Sequence, residues 1–249
     1  MYSHRSTTGP VDLAFTDRHG GVGGVPADPG DPGDSGDLDL ALDRDPAGTR
    51  ARNLERVVAD LAPGAVAVGM EQVHGDRVVV VTDPARAAEG TLERCDALVT
   101  DLPDVVLVVR VADCVPVLLA DADAGVVGAV HAGRKGVQLD VVTAAVRRMH
   151  QLGADDVEAW VGPHVCGACY EVPAPMRDEL AAREPTAAST TSWGTPALDL
   201  GAAVTAQLHR AGVRVHDVER CTRESPDLFS YRRDGDRAGR LAGLVRRRA

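Results

Sequence analysis

The chain has 249 residues, 44% of them hydrophobic, enough for a full core in one large domain or two small ones. A formal net charge of -10 and only 3% aromatic residues argue against a nucleic-acid binder, an anionic-membrane binder or a base-stacking platform. The opening MYSHRSTTGP lacks an apolar run, no stretch approaches the roughly 18 apolar residues of a membrane span, and an odd count of 5 cysteines fits reduced thiols in the cytoplasm.

In chain order, Pro26 to Pro46 (PADPGDPGDSGDLDLALDRDP) reads as a flexible acidic loop. Asp45 and Pro46 read as the N-cap and first residue of a helix, because Leu54, Val57, Val58 and Leu61 then recur at helical spacing. Valine-rich strands are expected at 65–70, 77–83, 96–100, 105–111, 115–121 and 125–133. A helix is expected over 137–149, with Val142, Val146 and Met149 on one face, Arg147 and Arg148 near its end and Gly153 beyond it. EAWVG reads as a strand, 199–212 as a helix capped by Asp199 and stopped by Gly212, and VRVHDVE as a further strand. With no internal repeat and no second linker, the whole chain, 1–249, reads as a single mixed α/β domain.

Three residues interrupt or end apolar strands. They are His74 in QVHGDRVVVV, Cys114 in RVADCVPVLLAD and His131 in GVVGAVHAGRKG. Strand ends along one sheet edge can converge, and two imidazoles with a thiolate suit zinc with a fourth position open for water. Asp113, beside Cys114, is placed to orient a ligand or take a proton. On residue type alone Cys114 is equally compatible with a small buried hydrophobe and His131 with a satisfied core histidine. VGPHVCGACYEV adds a C-x-x-C, Cys166 and Cys169, with His164 upstream. No H-x-E accompanies it, so the deaminase zinc motif is incomplete. Tyr170-Glu171-Val172-Pro173 does not read as the helix a thioredoxin-like pair needs. A structural zinc site needs a second ligand pair, and none lies nearby in sequence. This stretch is therefore expected to line or flank a site.

QVHG, DALVTD, ADCVPVLLAD, GAVHAGRKG, GPHVCGACYEV and CTRESPDLFSYRRDGDRAGR, in this order, together resemble the bacterial laccase-domain family. The N-terminal DRHGGVGG resembles its opening motif, and the likeness runs from Phe15 to Leu244. Members are named polyphenol oxidases or zinc-dependent purine nucleoside phosphorylases. The resemblance implies one α/β domain with mixed β-sheets flanked by helices, and a metal held by His74, Cys114 and His131. The chain departs from the family's HAGWRG, with Arg134 and Lys135 in place of Trp and Arg. It also has His164 where a Cys often follows Gly-Pro, and Val111 where a Thr often precedes ADC.

The resemblance implies a zinc enzyme that phosphorolyses adenosine, inosine or methylthioadenosine and also deaminates adenosine, with a purine nucleoside and phosphate as its small-molecule partners. Lys135, the only lysine of the chain, is the expected phosphate residue, with Arg134, Arg232 and Arg233 as further candidates. Copper-dependent phenol oxidation is the second reading. It ranks lower because multicopper clusters need more histidines than 8 residues with no H-x-H pair can supply, although the triad could also bind copper. A metal- or redox-sensing binding protein, served by Cys166 and Cys169, and a hydrolase with Cys114 as nucleophile and His131 as base complete the alternatives.

Overall fold

A computed structural model describes residues 1–22, 36–41, 48–83, 85 and 93–249. The chain opens with a hairpin of β1 (Tyr2–Thr8) and β2 (Val11–Thr16), then helix α1 (Thr49–Leu61). Short strands β3 (Val66–Val68), β4 (Met70–Glu71), β5 (Val78–Val80) and β6 (Glu93–Arg94) follow, then β7 (Ala97–Thr100), β8 (Val105–Val111), β9 (Val115–Asp121) and β10 (Val126–Ala132). Helices α2 (Arg134–Leu139) and α3 (Val141–Gln151) precede β11 (Glu158–Val161) and α4 (Ala174–Ala181). The small hairpin β12 (Ala188–Thr190) and β13 (Pro196–Leu198), α5 (Leu200–Arg210), β14 (Arg214–Asp217), α6 (Tyr231–Asp234) and β15 (Leu241–Arg247) complete the order.

Two mixed sheets carry the molecule, in strand orders β1-β2-β15-β8-β3 and β14-β11-β9-β10-β7-β5. Most neighbours are antiparallel, but β3 runs parallel to β8, β11 to β14 and β5 to β7. The mixed α/β class expected from the sequence is the one observed. The valine-rich strands have a simple cause: every residue of β8, β9 and β10 is buried, because both faces of each strand are covered. Alternation then sorts the side chains into layers. Leu107 and Val109 of β8 meet Leu118 of β9 between the sheets, together with Phe15 and Trp160. Val106 and Val108 turn outward onto Val57 and Leu61 of α1. Val117 and Leu119 of β9 face the other way, onto Val142, Val146 and Met149 of α3 and Val204 of α5.

Local signals held in several places. Asp199 Oδ1 accepts from Ala202 N at 2.8 Å as the N-cap of α5, and Gly153 (φ 97) and Gly212 (φ 78) follow the ends of α3 and α5 in the left-handed region. The helix expected over 137–149 is instead two helices, α2 and α3, divided at Asp140, which takes φ 60. Aspartate tolerates that conformation better than most residues. Residues 23–35 and 42–47, which hold most of the expected acidic loop together with Asp45 and Pro46, lie outside the described residues. The part that is described, 36–41, is irregular chain anchored on the core. Leu38 and Leu40 are fully buried against α1, and Asp39 Oδ1 accepts from Arg240 N at 2.8 Å. The two leucines outweigh the polarity of their neighbours. No helix of the described residues is long and apolar enough to cross a membrane.

Leu118 is fully buried between the sheets, whereas Val66 is 40% exposed on an edge strand. Leu118→Ala should therefore lower the unfolding free energy by about 2–5 kcal/mol and Val66→Ala by less than about 0.5 kcal/mol. Urea unfolding of the two variants measures the contrast. Equal effects would contradict the inter-sheet position of Leu118.

Candidate metal centre

The two large sheets are joined directly where β8 ends and β9 begins. Only Ala112, Asp113 and Cys114 make the crossing, and Asp113 turns the chain with φ 85. Cys114 thus sits at the rim between the sheets. β10 pairs with β9 so that His131 lies opposite Pro116, two residues beyond Cys114, and this brings the imidazole to the same rim. His74 arrives from the loop between β4 and β5, held at φ 60. A non-glycine residue in that region costs about 1–2 kcal/mol, so something must hold it there.

The ligand-capable atoms of His74, Cys114 and His131 all lie within 4.8 Å of one another. The two imidazoles meet edge to face, with centroids 4.8 Å apart. Gly133 leaves the space on which they converge. A Cβ there would lie 2.8 Å from His74 Cδ2, 3.2 Å from Cys114 Sγ and 3.6 Å from His131 Cε1. His131 is buried, Cys114 half-buried and His74 exposed, so the group opens to one side. This donor set fits a zinc-class ion with an unfilled position.

Asp96, at the start of β7, was not singled out from the sequence, yet it organises the group. Its Oδ1 lies 2.8 Å from His131 Nδ1 and accepts from His74 N at 2.9 Å, while its Oδ2 accepts from Gly75 N at 2.6 Å. Its backbone carbonyl accepts from His131 N at 2.8 Å. One carboxylate thereby holds the strained His74 loop and the His131 ring together. With Nδ1 engaged, Nε2 of His131 is left to face the centre. Burial alone pushes the Asp96 carboxyl up, but His131 and the two N–H donors outweigh it and hold Asp96 below the usual carboxylate range.

Burial disfavours the Cys114 thiolate, but His131 and His74 beside it overcome that and bring the thiol down to about 6. Burial likewise disfavours charge on His131, but the Cys114 thiolate and Asp96 overcome it and bring the imidazole up to about 9. The two shifts describe a thiolate–imidazolium pair, with the ring proton supplying the positive charge the sulfur requires.

Two cavities meet at Cys114. One, of about 510 Å³, is lined by the triad with Gln72, Arg110 and Arg240. The other, of about 440 Å³, is lined by Val165, Tyr170, Leu200, Tyr231 and Arg232. Arg232 also lies over the Tyr170 ring, its guanidinium carbon 4.5 Å from the centroid. Arg110 is 7% exposed, and its Nε and Nη1 have no hydrogen-bond partner among the described residues. Burial and then the charge of Arg50 lower its pKa to about 10, so it remains a cation at neutral pH.

Four of the residues expected from the sequence are placed differently from the triad. Asp113 points at the C-terminal loop: its Oδ1 accepts from Thr222 Oγ1 and its Oδ2 from Arg232 N, both at 2.6 Å. Arg134 and Lys135 begin α2, and Lys135 is exposed; neither lines the two cavities. Arg233 folds its own loop, donating to the carbonyls of Thr222, Ser225 and Leu228. The VGPHVCGACYEV stretch lends Val165 and Tyr170 to the cavity wall, while Cys166 and Cys169 belong to a separate side-chain group. Arg110 is marked in the sequence as the lone charge inside VVLVVRV.

Comparison with known proteins agrees with this architecture. The profile of the family described as multi-copper polyphenol oxidoreductase laccase matches residues 12–248. A purine nucleoside phosphorylase of Streptomyces coelicolor is 49% identical, over 98% of this chain and 99% of that one. An adenosine deaminase from an unknown prokaryotic organism is 35% identical, over 71% of this chain and 73% of that one. The crystal structure of a Neisseria meningitidis protein superposes with a TM-score of 0.81 at 28% identity, covering 99% of both chains. With a family profile spanning nearly its whole length, a near-full-length relative and a matching solved fold, the chain belongs to the multi-copper polyphenol oxidoreductase laccase family.

Proposed function

We propose that this protein is a zinc-dependent purine nucleoside phosphorylase acting on adenosine, inosine or methylthioadenosine. The observation that carries the reading is the meeting of two cavities at Cys114, one walled by Tyr170, Leu200 and Tyr231, the other holding Arg110 with its Nε and Nη1 unpartnered among the described residues. The name of the Streptomyces coelicolor relative supports it. His74, Cys114 and His131 would hold the metal, which supplies Lewis-acid polarisation and activates water near neutral pH.

In phosphorolysis a phosphate oxygen bonds to the anomeric carbon of the sugar as the bond from that carbon to the purine nitrogen breaks. The base and the anion must therefore be seated on opposite sides of the sugar. Tyr170, Leu200 and Tyr231 offer faces for the purine. Arg110 and Arg240 offer N–H donors to the phosphate oxygens across the shared rim. Arg110 replaces Lys135 in that role, because it lines the cavity and Lys135 does not. Asp113 is a positioning residue that holds the Thr222–Arg232 loop against the cavity.

Adenosine deamination is a second reading, favoured by water activation at the same centre and by the relative that carries that name. Copper-dependent phenol oxidation has weaker support. Among the described residues only one metal-spaced group contains histidine, and a multicopper cluster needs more.

Asp96→Asn should weaken zinc binding by about 10- to 100-fold while leaving the fold intact, whereas Cys114→Ala should abolish binding at the triad. Competition with a chromophoric chelator, alongside circular dichroism, reads both. Wild-type affinity in Asp96→Asn would show that the carboxylate does not orient His131.

A proton linkage follows from the raised imidazole. His131 carries its proton below about 9, and a metal ligand must shed it. Between the Cys114 value of about 6 and the His131 value of about 9, zinc uptake at the triad should release one proton, and affinity there should rise about tenfold per pH unit. Above that window the dependence should flatten. Calorimetry in buffers of different ionisation enthalpy measures the release, and buffer-independent heats would contradict the assignment.

Arg110→Gln should raise the KM for phosphate by about 10- to 100-fold, the loss expected for a charge-assisted hydrogen-bond donor. Adenosine deamination on the same preparation should change little, because phosphate takes no part in it. Lys135→Ala should alter either activity by less than about twofold. The reverse pattern would return the anion site to α2.

A further inference from the structure

Four other ligand-capable groups lie outside the triad. Cys166, Cys169, Cys221 and Glu224 bring three sulfurs and a carboxylate within 4.8 Å of one another. They come as two pairs of identical spacing, C-x-x-C and C-x-x-E, from segments 55 residues apart in the chain. Each pair sits on a turn. Cys169 N and Tyr170 N both donate to Cys166 O at 3.0 Å, and Ser225 N donates to Cys221 O at 3.1 Å. The turns are fastened side by side by a parallel bridge of His164 to Cys221, with His164 N donating to Arg220 O at 3.1 Å and Thr222 N to His164 O at 2.9 Å. The second pair missing from the local sequence is thus supplied by the C-terminal segment.

The side chains face one another across this seam. Cys169 Sγ lies 3.3 Å from Glu224 Oε1, and Cys166 N donates to Cys221 Sγ at 3.4 Å. All five cysteines are free thiols. Cys169 is buried, Cys166 and Cys221 are half-buried, and Glu224 is exposed at the mouth of a cavity of about 640 Å³. A small divalent ion can therefore reach them from solvent.

We propose that Cys166, Cys169, Cys221 and Glu224 form a second metal site, of the zinc class and structural rather than catalytic. Three thiolates and one carboxylate complete a tetrahedral shell, so no position is left for water or substrate. Soft thiolates select zinc over magnesium, calcium or manganese. The site clamps the 162–172 segment to the 220–233 segment. Those two segments supply Tyr170 and Tyr231, which wall the cavity beside Cys114, and Thr222, which bonds Asp113. The second metal is thus a brace for the catalytic rim, and it stands whatever reaction the triad performs.

The test is metal stoichiometry on full-length protein reconstituted with zinc under reducing conditions and then desalted. Wild type should hold two equivalents, Cys114→Ala one, and Cys114→Ala combined with Cys221→Ser none. Because Cys221→Ser could simply prevent folding, the Cys114→Ala protein is also titrated with cobalt(II). One tightly bound equivalent should give an intense near-ultraviolet thiolate-to-cobalt band with tetrahedral visible bands, and Glu224→Gln in the same background should shift the visible bands. A Cys114→Ala protein that is folded and reduced yet binds neither zinc nor cobalt overturns the proposal. So does a Cys166–Cys221 disulfide in protein isolated anaerobically in the presence of a thiol reductant.

Discussion

The buried carboxylate of Asp96 is the interaction on which the centre depends. Fully enclosed, it bears the cost of desolvation and recovers it from the N–H groups of His74 and Gly75 and from the His131 ring. Without those donors a buried charge of this kind is untenable. Without the carboxylate, the left-handed His74 has nothing to offset its conformation, and the imidazole of His131 loses its orientation. Backbone shape and side-chain chemistry of the site are therefore set by one group.

The second constraint is the crossing between sheets. A chain that leaves one fully buried strand and enters another in a different sheet within three residues must turn sharply, and Asp113 takes the left-handed conformation to do so. That same turn delivers Cys114 to a rim that neither sheet closes. Asp113 then spends both oxygens on Thr222 and Arg232, so the turn also fixes the C-terminal loop. Arg233 staples the loop internally through four backbone carbonyls, and Ser230 caps α6 by accepting from Arg233 N at 3.2 Å. Tyr231 and Arg232 are carried to the cavity by this scaffold, and Arg232 is held there by stacking over Tyr170.

Electrostatics pair the charges of the centre. The thiolate of Cys114 and the imidazolium of His131 neutralise each other in a buried rim where neither charge alone would persist. Arg110 is handled differently, as a cation enclosed with two nitrogens unpartnered. A group in that condition is costly unless an anion arrives, which is the usual circumstance of a binding residue rather than a packing one.

Much was legible in one dimension. The valine runs of β8, β9 and β10 show burial on both faces, since nothing else tolerates continuous apolar strands; Asp199 and Gly212 bound α5 through capping chemistry that acts within a few residues. His74, Cys114 and His131 stood out as polar breaks at strand ends, and the motif order pointed to the family. The strands β1, β2 and β15 were not legible, because YSHRSTT of β1 is polar and β2 is joined to β15 from the opposite end of the chain. Nor was the role of Asp96, which looks like an ordinary residue before a strand until His74 and His131 are folded onto it. The same holds for Cys221 and Glu224 beside Cys166 and Cys169. Sequence by itself determined the buried valine strands and the ends of α3 and α5, because hydrophobic patterning and capping are local. Only the tertiary structure decided which polar groups meet, because ligand distances of a few ångströms depend on how the two sheets and their crossing turn are packed in space.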